Sequence, residues 1–134
     1  HDNSRDSKKE KYVFSNYWHF DDFRLDKLTV FVLLNDYTDQ NNGSTKLLNA
    51  TNTKSLTRRF KYLDTSISNF KLDDFVKKKN MIVYCNGNLG ETYIVNTSKC
   101  LHAASIPVKG KHRDLIQFEI YHSKKSVDPF EKFN

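Results

Sequence analysis

Nine residues, Leu28 to Asp36 (LTVFVLLND), constrain the fold of this chain more than any other stretch. In an extended strand, alternate side chains point to opposite sides. Here both sides are apolar, with Leu28, Val30, Val32 and Leu34 on one and Phe31 and Leu33 on the other. Such a strand asks for cover on both faces. A second strand, read over 113–123 (RDLIQFEIYHS), divides more cleanly. Arg113, Leu115, Gln117, Glu119 and Tyr121 share one side, while Ile116, Phe118 and Ile120 share the other. The first side can line a cavity and the second must be covered by something apolar. The sequence offers no long amphipathic helix for that purpose, so upstream residues or a partner chain are expected to lie over the sheet.

Other short strands are spaced by turn chemistry. An aromatic-rich stretch, 11–23, reads as strand-like, and a turn over 37–44 (YTDQNNGS) leads to a short strand at 45–49. Further strands are expected at 81–85, 91–96 and 100–105, the first two separated by the turn NGNLG. Between them, TKSLTRRFKYL (53–63) suits a short helix or a loop, and LDDFVKKK (72–79) one or two helical turns. The sum is an all-β fold, an antiparallel sandwich or barrel of the jelly-roll kind with few short helices. Residues 1–10 form a polar lead-in and 11–134 a single domain. Because the chain opens at His1 and its sheet faces ask for cover, it reads as the C-terminal part of a longer domain.

Composition narrows the function classes. A net charge of +6 arises from 22 Lys+Arg against 16 Asp+Glu among 134 residues. The basic residues are scattered and accompany no nucleic-acid-binding motif, so a solvated basic surface is the simpler reading. No apolar run approaches the roughly 18 residues of a membrane span, and no signal-peptide pattern is present. Two cysteines, Cys85 and Cys100, make no disulfide framework and suit reduced thiols in a cytoplasmic protein, with a bridge between them left open. Asn49-Ala-Thr51 and Asn96-Thr-Ser98 match glycosylation triplets, which carry weight only in a secretory setting.

Three residues suggest chemistry. In Trp18-His19-Phe20-Asp21 the triplet H-x-D places His19 and Asp21 on one side of a strand, where both can reach one ion. A third candidate ligand, His102, sits among Cys100, Leu101, Ala103 and Ala104, where an imidazole needs a partner to be worth burying. Two histidines and one carboxylate compose the facial triad that holds non-haem Fe(II) with open positions. Taken singly, H-x-D on a polar strand face and a hydrogen-bonded core histidine are the plainer readings. A zinc site with Cys100 lacks the second ligand pair of a structural centre. Arg113 opens the strand after the loop IPVKGKH, and its planar, permanently charged fork suits a carboxylate.

In order along the chain, W-H-x-D, VFVLLNDYTDQNNGSTKLL and CLHAASIPVKGKHRDLIQFEIY resemble the phytanoyl-CoA dioxygenase family of Fe(II)/2-oxoglutarate oxygenases over about residues 15–123. That resemblance implies a double-stranded β-helix core, related to the cupins, whose upstream elements are missing here. It implies Fe(II) held by His19, Asp21 and His102, and 2-oxoglutarate with its far carboxylate on Arg113. Members carry a hydroxyl residue two positions after the distal histidine. Ala104 stands there in this chain, and the neighbouring Ser105 takes over as the candidate cosubstrate contact. The family's PGSH-like segment reads Asn49-Ala-Thr-Asn52.

The implied reaction uses O2, releases succinate and carbon dioxide, and hydroxylates a C–H bond of a small-molecule substrate. Asp21 speaks against a halogenase, in which the carboxylate ligand is absent. Tyr17, Phe20, Phe23, Arg24 and Tyr93 are candidates to line the substrate pocket. The rival reading is a catalytically inactive β-sandwich binding module with a coincidental triad. Nucleic-acid binding through net charge ranks below both.

Overall fold

In β1 (Lys27–Leu33) the two sides of the strand meet different fates. Lys27, Thr29, Phe31 and Leu33 are buried, whereas Leu28, Val30 and Val32 are exposed or half-buried. The computed structural model describes residues 14–21, 27–36, 39–59 and 66–121. The lead-in, the pocket candidates Phe23 and Arg24, and everything after Tyr121 lie outside the described residues.

Strand β1 is the centre of a three-stranded antiparallel sheet. Its neighbours are β4 (Thr92–Val95) and β6 (Leu115–Tyr121), in the order β4-β1-β6. The register sets Leu28 opposite Ile120, and Val30 opposite both Phe118 and Ile94. These side chains share one sheet face, and among the described residues nothing covers it: Ile94 is 64% exposed, and Phe118 and Ile120 are each 54% exposed. The apolar surface that called for cover is therefore real, and the described chain leaves it open.

A second antiparallel sheet has the order β3-β2-β5, from β3 (Val83–Tyr84), β2 (Thr45–Leu47) and β5 (His102–Ala104). Residue 19 adds an isolated antiparallel bridge to His102, closed by two backbone hydrogen bonds of 3.0 and 3.1 Å. Two helices, α1 (Ala50–Arg59) and α2 (Ser66–Lys78), pack with this sheet. Trp18, Leu48, Leu56, Leu72, Val76, Leu101 and Ala103 form their shared core. Full burial of each leucine or valine contributes about 1.5–3 kcal/mol.

Helix is more extensive than the sequence reading foresaw. Residues 14–16 are a 3-10 turn rather than strand. Threonine-rich α1 has weak intrinsic propensity, but its start is fixed by Asn49, whose side chain accepts from the Asn52 amide at 2.8 Å. Asn49 is thus a helix cap. Leu72 and Val76, four residues apart, set the buried face of α2. Asn80, at φ 51°, ends it in a Schellman arrangement, with Met81 N bonded to Val76 O and Asn80 N to Lys77 O.

The loop after β5 docks against the turn before β2. Gly43, with φ 88°, approaches Pro107 so closely that an added Cβ would lie 3.0 Å from Pro107 Cδ. Gly43→Ala is expected to cost more than about 1 kcal/mol, from left-handed backbone and crowding together, measured by urea denaturation. A loss below about 0.3 kcal/mol would show that the loop simply moves aside.

Candidate metal centre

Period-two alternation builds the centre. Along 18–21, Trp18 and Phe20 pack with the helices, so His19 and Asp21 face the other way. Strand β5 repeats the device. Ala103 joins the helix-side core and His102 turns to the opposite face. The backbone bridge between His19 and His102 then sets their rings side by side, with centroids 4.3 Å apart.

Three donor atoms converge. Asp21 Oδ1 lies 3.5 Å from His102 Nε2 and 3.9 Å from His19 Nε2, and all three lie within 4.8 Å of one another. Donors around a first-row ion at about 2.1 Å stand roughly 3.0–3.5 Å apart, so the wider pairs of this cluster would draw closer around an ion. The three residues span the seam between the sheets. Asp21 N bonds to Thr97 O just beyond β4, and the Asp21 carboxylate reaches Lys27 on β1.

Both imidazoles are oriented in the same way. His19 Nδ1 lies 2.7 Å from the Tyr17 carbonyl oxygen, and His102 Nδ1 lies 3.2 Å from that of Cys100. A carbonyl only accepts, so each Nδ1–H donates to it, which leaves each Nε2 aimed at Asp21, a donor to the carboxylate when it carries a proton and a lone pair for an ion when it does not. Burial pushes the pKa of His19 down, which favours the neutral form a metal requires. A hydrogen bond from His102, aided by Thr97 and the charge of Lys27, holds the Asp21 carboxyl well below the ordinary range against the opposing effect of burial. The donor set, two imidazole nitrogens and one carboxylate oxygen, fits a divalent ion such as Fe(II).

The other sequence candidates stand apart from this cluster. Ser105 follows β5 directly and donates its backbone N–H to Ser44 O at 2.9 Å. Arg113, half-buried, precedes β6 at the end where Leu115 faces Leu33, whereas Lys27 and Tyr121 pair at the other end. Six residues of extended chain, about 20 Å, separate Arg113 from Glu119. Phe20 belongs to the helix-side core, and Tyr93 donates its hydroxyl to Asn86 O. Cys100 is not among the converging donors. Both cysteines are free thiols, and burial pushes that of Cys85 up to about 12.

Sequence reasoning missed Lys27, Thr97 and Glu119, which surround Asp21. A signal was present, because Lys27 and Thr29 are the polar positions on an otherwise apolar strand, and Glu119 lies on the mixed face of β6. No protein-family model matches the chain, and no curated protein matches it significantly.

Proposed function

We propose that this chain carries the metal-binding core of an Fe(II)/2-oxoglutarate-dependent oxygenase, a hydroxylase acting on a C–H bond of a small organic molecule within a jelly-roll, double-stranded β-helix framework. The observation that carries the reading is the convergence of His19, Asp21 and His102 on one point at the meeting of two antiparallel sheets. Bound Fe(II) would supply the redox chemistry that couples oxidation of 2-oxoglutarate by O2, to succinate and carbon dioxide, to substrate hydroxylation. The chain's own share is structural and electrostatic. His19, Asp21 and His102 would hold the ion through two imidazoles and one carboxylate, a ligand set with positions to spare for small molecules. Thr29 and Phe31 are buried on the inner face of β1, the face that also carries Lys27. The resemblance, rather than any observed closeness to the three ligands, assigns Arg113 at the head of β6 to the far carboxylate of the cosubstrate and Ser105 to a hydroxyl contact.

The test is succinate release from 2-oxoglutarate by purified protein with Fe(II) and ascorbate. Iron binding without 2-oxoglutarate binding or succinate would favour the inactive binding module. Arg113→Ala is expected to weaken 2-oxoglutarate binding at least about tenfold, the value of one charge-assisted contact, while Fe(II) affinity stays within a few-fold. An unchanged 2-oxoglutarate affinity by calorimetry would return Arg113 to a structural role.

A further inference from the structure

Lys27 is only 5% exposed, an unusual setting for an ammonium group at the head of an apolar strand. Its Nζ lies 3.3 Å from Asp21 Oδ2 and 2.6 Å from Glu119 Oε1. The other oxygen of Asp21, Oδ1, is the one that approaches both imidazoles. The two oxygens of one carboxylate therefore face different partners. Thr97, fully buried, adds a hydroxyl hydrogen bond to the same carboxylate. The Thr97 hydroxyl also lies 2.6 Å from that of Thr29. Glu119 in turn accepts from Lys27 and from the Tyr121 hydroxyl.

We propose that Lys27 is a positioning residue of the metal centre, holding Asp21 Oδ2 so that Asp21 binds the ion through Oδ1 alone. A carboxylate free to rotate can chelate with both oxygens and fill two coordination positions. With Oδ2 engaged by the ammonium group, three residues fill three positions, and the rest stay open for cosubstrate and oxygen. Glu119 fixes the ammonium group from the β6 side, which links the ligand geometry to the pairing of β1 with β6. Lysine offers a compact charge on a long stem, and that stem lets it enter from the strand head beside Asp21.

This proposal rests on the metal reading above, and the experiment separates the two. Co(II), whose visible spectrum reports coordination number, is titrated into the full chain carrying Lys27, Lys27→Met or Lys27→Arg. Lys27→Met is expected to weaken Co(II) binding about 10–100-fold, the usual effect of losing an outer partner of a ligand, and to change the spectrum. Lys27→Arg, which keeps charge and donors, restores both to near the parent protein. If Lys27→Met does not fold, the unmutated protein still decides the matter. In the infrared difference spectrum on Co(II) binding, a wide separation of the two carboxylate stretches marks one-oxygen ligation, and a narrow one marks chelation. Chelation by Asp21, or a folded Lys27→Met variant with unaltered affinity and spectrum, overturns the role of Lys27. Absence of Co(II) binding by the unmutated protein overturns the metal reading itself.

Discussion

Alanine at His19, Asp21 or His102 is expected to abolish Fe(II) binding, with a fall in affinity beyond the roughly 100-fold that loss of an outer partner brings. Each side chain supplies one of only three protein donors, and no other His, Cys, Asp or Glu cluster among the described residues offers a substitute. The histidine variants make the cleaner experiment. Removing Asp21 also leaves buried Lys27 with Glu119 as its remaining acidic partner, so stability falls along with binding. Equilibrium dialysis under anaerobic conditions, with circular dichroism to confirm folding, measures the effect. Three folded variants that bind iron as tightly as the parent chain would remove the metal centre from consideration.

The second large effect lies on the opposite side of the same strand segment. Asp73 on α2 accepts from Trp18 Nε1 at 2.9 Å and from Lys46 Nζ at 2.6 Å, while its other oxygen meets Lys77 Nζ at 2.6 Å. Lys46 is buried, and its ammonium group lies 4.8 Å from the Trp18 ring centroid. Asp73→Ala strands that charge, at a cost of about 3–5 kcal/mol, a large share of the 5–15 kcal/mol typical of a domain. The melting temperature is expected to drop by about 10 °C or more. Pairing Asp73→Ala with Lys46→Met should recover much of the loss, because a packed apolar pair replaces the ionic one. A single variant as stable as the parent protein would show that water reaches Lys46.

The pH dependence follows from the same group. Burial alone would raise the Asp73 pKa, but the hydrogen bonds from Lys46 and Lys77 outweigh it and hold the value below the ordinary 3.8. Its stabilisation is therefore fully present above that ordinary value and is lost as pH falls toward the depressed folded one. Acid denaturation of the parent chain should be correspondingly steeper than that of Asp73→Asn.

What could be read in advance follows from which signals are local. The pairing of His19 with Asp21 was legible because strand alternation has a period of two, and the structure alternates them with Trp18 and Phe20 as that rule requires. The uncovered apolar side of β6 was legible for the same reason. Helix α1 was not, since Thr51, Thr53 and Thr57 favour strand or loop and only the Asn49 cap and tertiary packing decide the matter. The sheet order β4-β1-β6 and the meeting of Lys27 with Asp21 depend on contacts between distant segments. No single stretch encodes them.

The bridge between His19 and His102 joins nearly the two ends of the described chain. An ion held there would tie shut a loop containing both helices and most of the strands. Its capture would have to wait until the C-terminal third has been synthesised and β5 has found its place. Loading would then be among the last events of maturation, and a chain truncated before β5 would keep His19 and Asp21 but lack the third ligand.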